Sequence, residues 1–277
     1  MSDKEDILEI SRNTWEGHDY LPQYFDQWLS DEKCHTLAIE ENGRVAALAN
    51  LKIIDDGKTG WMEGLRVHPT YRRKGYASII TDKLVQMATD IGVKQIRYTT
   101  ATVNESSLHL ASKAGMKRLF DLGVYWHGGI ETVSWTKAST NIEKINPDEE
   151  FSLIKESNLF PNNILILDWK ALDVTKRAFE ELVNEVWVHR TSDGFESISV
   201  ASIRHELNRT LWSFTIYTEK DEHFLEHLSH HIKRTRENKL DKFTMMYPTK
   251  FKELLYNFDW VNQEDKEIGI TLLEKVL

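Results

Sequence analysis

The stretch from Trp61 to Ala77, WMEGLRVHPTYRRKGYA, decides how this 277-residue chain is interpreted. It combines an apolar strand, a loop rich in Arg, Lys and Gly, and the start of a helix. A helix N-terminus exposes about four unpaired N–H groups and a partial positive charge of roughly half a unit. A glycine lets the backbone approach an anion, and basic side chains add attraction. The stretch therefore predicts a phosphate or pyrophosphate cradle, although neither a P-loop nor a GxGxxG pattern is present.

The segments around this stretch predict a mixed α and β domain. After the loop, an apolar stripe begins at Ile80 with helical spacing and predicts a helix that ends at Gly92. Before it, a turn containing Asn-Gly joins two apolar runs, which is a strong hairpin signal. The other predicted helices cover residues 7–12, 21–29 and 105–113, and the predicted strands cover 35–39, 45–54, 59–67, 94–101, 124–126 and 131–135.

A polar stretch between Trp135 and Phe151, TKASTNIEKINPDEE, is the best linker candidate. We therefore predict two domains, residues 1–140 and 141–277, with a similar order of elements. In the second domain the predicted strands cover 164–169, 185–190, 195–203, 211–218, 242–246 and 268–276, and the predicted helices cover 221–236 and 249–257. TEKDEH (residues 218–223) stands there in place of the basic loop. It is acidic and would repel a pyrophosphate, so we expect no such ligand in the second domain.

Composition excludes several classes of protein. The formal net charge of −9 argues against a nucleic-acid partner, because phosphate binding needs a basic face. The single cysteine, Cys34, rules out an internal disulfide framework and a zinc site built on several cysteines, and we interpret it as a packed thiol. No apolar run is long enough to span a membrane, and the N-terminus lacks a signal-peptide pattern. We therefore expect a soluble, cytoplasmic protein with no membrane partner.

Four histidines lie on the second long predicted helix. His223, His227, His230 and His231 have the spacing i, i+4, i+7 and i+8, which could bind a metal. No HExxH pattern is present, and no carboxylate ligand is obvious beside them. The sequence therefore predicts no metal site.

Two motifs in the first domain carry a family resemblance. The first, Val67-x-Pro69-x-x-Arg72-x-x-Gly75-x-Ala77, resembles the acetyl-CoA loop of the GNAT superfamily of N-acetyltransferases. The second, Asn104-x-x-Ser107-x-x-Leu110-x-x-Lys113-x-Gly115-Met116, resembles the following motif of that family. More narrowly, EGHDYLP (residues 16–22) together with MEGLRVHP resembles the histidine N-acetyltransferase-like branch, whose second half is similar to a degenerate GNAT unit. The resemblance covers residues 5–135.

The resemblance implies an α+β fold and acetyl-CoA as co-substrate. A GNAT fold, with a mixed, mostly antiparallel sheet flanked by helices, would be followed by a smaller, degenerate GNAT-like domain. The residues that the resemblance assigns to acetyl-CoA are Leu65, Arg66 and Val67 on the strand, Arg72, Arg73, Lys74, Gly75, Tyr76 and Ala77 around the pyrophosphate, and Asn104 on the pantetheine arm. Two departures stand out. Ala111 occupies the place of a Tyr that often protonates the leaving thiolate, and little room is left for a first strand before Asp6.

The implied chemistry is acyl transfer by direct attack of an amine on the thioester. A base must first remove a proton from the ammonium group. Glu63 is the candidate base, because strand alternation predicts that it shares a face with Leu65. A structural carboxylate that pairs with a nearby Arg is the alternative. His18, Asp19 and Tyr20 are the candidate substrate-recognising loop, with a helix N-cap provided by Asp19 as the alternative.

These observations predict an N-acetyltransferase that moves the acetyl group of acetyl-CoA to a primary amine. A small amino acid or a related amine is favoured as acceptor. Two other functions stay open. One is an acyl-CoA-binding sensor with little turnover, consistent with Ala111, and the other is a scaffold in which the second domain docks a partner. The acceptor and the oligomeric state, a homodimer included, are not given by the sequence.

Overall fold

The chain divides into two compact units. The computed structural model describes residues 3–12, 14, 19–137, 141–206, 209–265 and 268–277. Within those ranges, unit 1 consists of residues 1–98, 105–118 and 273–277, and unit 2 consists of residues 99–104 and 119–272. This division differs from a single cut after residue 140, and that cut stays a prediction for the boundary between the sequence domains.

Unit 1 contains most of a four-stranded sheet and four helices. Its elements are α1 (Asp3–Arg12), α2 (Leu21–Ser30), β1 (Cys34–Glu41), β2 (Arg44–Ile54), β3 (Thr59–Val67), α3 (Tyr76–Ile91), β4 (Gln95–Ala101) and α4 (Glu105–Lys113). The strand order is β1-β2-β3-β4, antiparallel up to β3 and parallel between β3 and β4. Every element predicted as far as Lys113 is confirmed, and β3 and α4 have the predicted bounds. Among the described residues α1 comes first, in line with the missing first strand.

The sheet of unit 1 carries a hydrophobic core on each face. Alternation along β2 sends Leu48 to one face and Ala49 to the other. The first core lies under α1 and α2, where α2 buries Leu21, Phe25 and Trp28 at the spacing i, i+4 and i+7. The second core lies under α3, whose stripe was visible in the sequence. We refer to these two sides as the α1–α2 face and the α3 face.

The hairpin between β1 and β2 closes as its sequence predicts. Asn42 and Gly43 have φ values of 54° and 73°. Two consecutive positive φ angles define the type I′ turn, whose twist matches that of the flanking strands. The Asn-Gly signal therefore fixes the register of the edge strand.

A β-bulge interrupts β3 at Gly64. The residues paired on either side of it are Leu48 with Arg66 and Asn50 with Glu63, so two residues of β3 lie opposite one residue of β2. Gly64 has a φ of 66°, and a Cβ atom added there would lie 2.1 Å from Cη2 of Trp28. Glycine is therefore required at this position both by the backbone and by the ring above it.

Unit 2 is built around a run of neighbouring strands of mixed orientation. Its elements are β5 (Lys117–Gly128), β6 (Glu143–Ile145), α5 (Phe151–Glu156), β7 (Ile164–Leu167), β8 (Lys170–Asp173), α6 (Lys176–Leu182), β9 (Glu185–Thr191), β10 (Gly194–Glu206), β11 (Arg209–Thr218), α7 (Asp221–Glu237), β12 (Lys242–Pro248), α8 (Lys252–Tyr256) and β13 (Gly269–Val276). The strand order is β5-β12-β11-β10-β9-β6, with β11 and β12 parallel, and β7 and β8 pair with each other. β4, β5 and β13 contribute residues to both units.

Of the two strands predicted near the end of the first domain, one is confirmed and one is wrong. The strand predicted over 124–126 lies within the longer β5, whereas residues 131–135 form no strand. Gly129 turns the chain with a φ of 76°, and a 3-10 turn follows at once. Ile130 and Val133 are then buried three residues apart, and the carbonyl oxygens of both accept hydrogen bonds from Arg236 of α7. These carbonyls are thus occupied by a side chain and not by a neighbouring strand.

Part of the predicted linker is a strand. β6 pairs with β9, with Lys144 opposite Trp187, and it buries Ile145. One buried residue in a polar stretch gives too weak a pattern to predict a strand. The short elements α5, β8 and α6 were not predicted either, because each is shorter than two helical turns or five strand residues.

Replacing Gly64 should destabilise unit 1 more than replacing Gly43. Both glycines have positive φ values, so each change to alanine costs about 1–2 kcal/mol of backbone strain. An added Cβ at Gly64 also meets the ring of Trp28, whereas nothing lies within 4 Å at Gly43. We expect Gly64→Ala to lower the free energy of unfolding by about 2 kcal/mol more than Gly43→Ala, measured by urea denaturation. Equal losses would show that Trp28 does not confine the bulge.

Candidate active site

The loop of residues 68–75 leads from β3 to the N-terminus of α3. Gly75 caps the helix with a φ of 82°, and Arg73 also lies in the left-handed region with a φ of 64°. The N–H of Ile79 donates to the carbonyl of Gly75 at 3.1 Å, which is the first turn of the helix. The N–H groups of residues 76–78 precede it and have no acceptor within the helix. They point out of the helix end, which is the geometry for an anion.

The space in front of this helix end is open. A Cβ added to Gly75 would meet no atom within 4 Å, so packing does not fill the position. No acidic residue lies in the first turn of α3, and no side chain caps it. The helix end therefore has the donors and the room that a pyrophosphate needs, and its first turn carries no acid.

Glu41 of β1 holds two of the predicted loop residues. Its carboxylate accepts a hydrogen bond from Nζ of Lys74 at 2.9 Å and another from the hydroxyl of Tyr76. These two bonds hold the pKa of Glu41 below its usual range, so the carboxylate stays ionised. The ammonium of Lys74 also lies 5.0 Å from the ring centre of Tyr71. The side chains of Lys74 and Tyr76 are thus tied to the sheet.

Three further basic groups surround the start of α3. Arg72 and Arg73 are exposed, and Nζ of Lys113 in α4 lies 3.4 Å from Oγ of Ser78 in the first turn of α3. Lys113 belongs to the second sequence motif but was not among the predicted site residues. The position of Lys113 within that motif is the sequence signal that could have identified it. Ala77 is half-buried at the second position of the helix, beside the exposed cap.

Glu63 and Leu65 do not share a face of the sheet, so that prediction is wrong. Simple alternation would place residues i and i+2 together, but the bulge at Gly64 inserts one extra residue. Glu63 lies opposite Asn50 on the α1–α2 face, whereas Leu65 packs in the core of the α3 face. The glycine inside the strand pattern was the available signal.

A buried amide fixes the carboxylate of Glu63. Nδ2 of Asn50 donates to Oε1 of Glu63 at 2.9 Å, and Oδ1 of Asn50 accepts from the hydroxyl of Thr36 at 3.0 Å. Asn50 has no exposed surface, so its amide has few alternative partners. Sequence reasoning missed Asn50 and Thr36, because β1 and β2 are joined to β3 only by the sheet register.

A buried ion pair brings a predicted substrate residue next to β3. The guanidinium of Arg66 donates two parallel hydrogen bonds, each 2.9 Å long, to the carboxylate of Asp19. Asp19 also accepts from the N–H of Leu21 at 3.1 Å, at the start of α2. The carboxylate therefore binds both the first N–H of α2 and Arg66, which is a structural role, and its part in substrate recognition stays a prediction. The side chain of Arg66, predicted to bind cofactor, faces Asp19 instead.

Tyr20 completes this group on the α1–α2 face. The guanidinium of Arg66 lies 5.3 Å from its ring centre. Burial, assisted by the charges of Glu63 and Asp19 and opposed by Arg66, raises the pKa of Tyr20 to about 12. The phenol is therefore neutral near pH 7. Asp19, Tyr20, Glu63 and Arg66 form what we call the carboxylate cluster.

The remaining predicted residues have different outcomes. Val67 ends β3 opposite Ala47. Asn104 belongs to unit 2, where its N–H donates to the carbonyl of Ala101 at 2.9 Å, and its role stays a prediction. His18 lies outside the described residues. Ala111 is buried in the core of the α3 face and offers no hydroxyl group.

Comparison with known proteins accounts for these features. Residues 4–116 match the acetyltransferase (GNAT) family. Residues 4–116 therefore belong to a GNAT acetyltransferase domain. Residues 152–248 match the family described as histidine N-acetyltransferase, C-terminal. The predicted GNAT resemblance is therefore confirmed, and GNAT acetyltransferases use acetyl-CoA as co-substrate.

Its relatives include enzymes of one named activity. A histidine N-acetyltransferase of Oreochromis niloticus is 38% identical over 78 residues, which are 28% of this chain and 23% of that protein. Another from Xenopus tropicalis is 33% identical over 76 residues, 27% of this chain and 24% of that protein. The alignments thus cover about a quarter of the length of these curated relatives.

A solved structure supports the α+β fold over almost the whole chain. A tandem GNAT protein from the clavulanic acid biosynthesis pathway matches with a TM-score of 0.57 and 12% identity, over 99% of this chain and 93% of that one. At this identity the likeness shows the fold alone. None of the helices in the described ranges has the length and apolarity needed to cross a bilayer.

The corresponding helix of unit 2 lacks the anion site. β11 ends at Thr218 and α7 begins at Asp221, so only two residues connect them. Asp221 and Glu222 lie in the first turn of α7, and the connection contains no glycine. Carboxylates at a helix N-terminus occupy the place that a phosphate would take.

A charge in the cradle should weaken acetyl-CoA binding. Gly75→Glu would fill the open space before α3 with a carboxylate, so we expect at least a tenfold rise in the dissociation constant, about 1.4 kcal/mol. Calorimetric titration measures it. Gly92→Glu is the matched control, because Gly92 ends the same helix with a φ of 86° and equal free space. Equal affinities for the two variants would refute the cradle.

The number of acetyl-CoA molecules per chain tests the comparison of the two helices. We expect a calorimetric stoichiometry of one, because the start of α7 carries acids where the start of α3 carries none. In the Gly75→Glu variant no binding event of unchanged affinity should remain. Two molecules per chain, or binding of unchanged affinity in that variant, would show that unit 2 binds the co-substrate.

Proposed function

We propose that this protein is an N-acetyltransferase that transfers the acetyl group of acetyl-CoA to the primary amine of a small amino acid or a related amine. One observation supports this most. The strand that leads into the cradle, β3, also carries Glu63 on the face where Asp19 and Arg66 pair. An anion site and a fixed carboxylate on one strand suit a nucleotide-bearing acyl donor and an amine acceptor.

The charge of the carboxylate cluster favours an amine. Glu63 and Asp19 supply two carboxylates against one guanidinium from Arg66, and Asp19 occupies that guanidinium through two bonds. The balance of one negative charge in a half-buried position attracts an ammonium group. An acceptor amine would therefore arrive protonated and must lose a proton before it can attack.

Glu63 is the group that accepts this proton. Tyr20 is neutral near pH 7 because its pKa is about 12, so its hydroxyl donates hydrogen bonds and does not act as a base. Asp19 is committed to Arg66 and to the start of α2. Asn50 holds Oε1 of Glu63 in place by a hydrogen bond from its amide.

The transfer balances without a dedicated acid. The amine nitrogen forms a bond to the thioester carbonyl carbon, and Glu63 takes the proton that the amine loses, directly or through a water molecule. The carbon–sulfur bond then breaks, the electron pair leaves with the sulfur, and the second proton of the attacking nitrogen passes to the thiolate or to solvent. A thiol with a pKa of about 8.5 is a tolerable leaving group as thiolate. The buried Ala111 in place of a tyrosine is compatible with this step.

Histidine is the first acceptor to test. The two relatives described above carry the name histidine N-acetyltransferase, and residues 152–248 match the C-terminal family of that name. The alignments cover only 28% and 27% of this chain, so the acceptor is part of the proposal. A panel of free amino acids and small amines, followed by release of free thiol, identifies it.

Ala111 favours a second candidate function. Without a hydroxyl at this position, the protein could bind acyl-CoA and turn it over slowly, as a sensor does. The same assay separates the two functions. Thiol release that depends on one amine supports the enzyme, whereas tight acetyl-CoA binding without release across the panel supports the sensor.

Removing the charge of Glu63 should separate binding from turnover. Glu63→Gln keeps the shape of the side chain and its contact with Asn50, so acetyl-CoA affinity should not change. We expect kcat to fall by roughly 10²-fold or more, and the decline of activity on the acid side of the pH profile to disappear. Glu40→Gln, an exposed position on β1, is the control and should leave both parameters unchanged. Wild-type turnover in Glu63→Gln would reduce Glu63 to a structural carboxylate.

A further inference from the structure

The four histidines of α7 do not act as one group. His227 and His231 are fully buried, and together with Ser197, Ser199 and Trp212 they form one hydrogen-bonded chain. The indole N–H of Trp212 can only donate, so Nδ1 of His231 accepts it at 3.1 Å and the proton of His231 lies on Nε2. Both rings are thereby used within unit 2, and neither offers a free nitrogen.

His223 lies one turn before this chain and has a different environment. Its ring stacks on that of His189 of β9, with the centroids 4.1 Å apart and an angle of 23° between the planes. Nε2 of His223 lies 3.8 Å from a carboxylate oxygen of Glu196 and 3.8 Å from one of Glu222. Two imidazoles and two carboxylates therefore meet at the start of α7.

A second β-bulge directs Glu196 to this place. Phe195 pairs with Arg190 and Ser197 pairs with His189, so Glu196 is the extra residue of β10. The extra residue of a bulge is re-aimed out of the regular alternation of the strand. Its carboxylate comes close to the ring of His223, on the side of the sheet that α7 covers.

We propose that His189, Glu196 and His223 form a site for a divalent transition-metal ion of the zinc type. The nearest ligand atoms of the three residues lie within 4.8 Å of one another. Zinc bonds of about 2.0–2.2 Å in a tetrahedral arrangement need ligand atoms a little over 3 Å apart, so a small rotation of Glu196 closes the site. Glu222, which is exposed, is the nearest candidate for a fourth ligand.

Two features of this group of residues are compatible with a bound metal ion. Nδ1 of His189 and Nδ1 of His223 are buried and have no hydrogen-bond partner within the described part of the chain. Imidazole with carboxylate is a ligand set that zinc accepts.

Lys220 competes with a metal ion for the carboxylate of Glu196. Its ammonium lies 2.6 Å from Oε2 of Glu196, where it neutralises the carboxylate that the metal would use. The lysine is half-exposed and can leave without unfolding any element. A metal ion must therefore displace Lys220, and the site is weaker than its ligand set alone would make it.

Competition between Lys220 and the ion gives a test with a defined sign. Zn²⁺ is titrated into the untagged full chain in the presence of a chromophoric chelator. We expect the variant Lys220→Gln to bind Zn²⁺ at least tenfold more tightly than the unchanged protein, because Glu196 is released. Glu196→Gln and His189→Gln should each weaken binding at least tenfold. His205→Gln, an exposed position on β10 outside the proposed site, should change nothing.

The gain in Lys220→Gln protects the test from misfolding, since a damaged protein would not bind more tightly. No change in Lys220→Gln would overturn the proposal. So would equal Zn²⁺ affinity in the unchanged protein and in Glu196→Gln, which would place the bound ion elsewhere. The outcome does not depend on acetyl transfer, because no residue of the carboxylate cluster or of the cradle takes part.

Discussion

One extra residue in β3 determines where the chemical groups of unit 1 lie. A strand places successive side chains on opposite faces, and a bulge changes that order from its own position onward. In β3 it leaves Glu63 on the α1–α2 face and sends Leu65 into the core of the α3 face. β3 pairs with β4 through its residues Thr59–Trp61, so this pairing ends before the bulge. The strand therefore diverges from its regular pairing at the point where the candidate site begins.

The buried pair of Asp19 and Arg66 is better understood as a positional device than as a source of stability. Taking two charges out of water costs several kcal/mol per ion, which the attraction and the two bonds largely offset. What the pair does fix is geometry, because it joins a residue two positions before α2 to a residue of β3 that is 47 positions later in the chain. Tyr20 is held between these two points, next to Arg66 and with its proton retained.

Local signals carried most of the successful predictions. The Asn42–Gly43 turn, the glycine that begins α3 and the glycine that ends it each require a positive φ, and such residues can be identified from sequence alone. The long, periodic helices and strands were confirmed for the same reason. The face of Glu63 was wrong because a strict period of two was assumed through a glycine, which often marks a bulge. The partners of Glu63 and Asp19 could not be predicted, because sheet register and tertiary contacts bring them together.

The two units use the same connection from strand to helix for opposite purposes. Between β3 and α3 the connection is long, basic and ends in a glycine, so the helix end is left for an anion. Between β11 and α7 it is two residues long, and acids fill the helix end. α7 then faces the sheet through His227, His231 and the serines of β10, where every ring nitrogen has a partner. A satisfied polar network of this kind fixes one register between helix and sheet, because any slip would leave buried nitrogens unpaired. The position of α7 in unit 2 is therefore fixed by hydrogen bonds within that unit. The helix α3 of unit 1 instead keeps its N-terminal N–H groups available to a ligand.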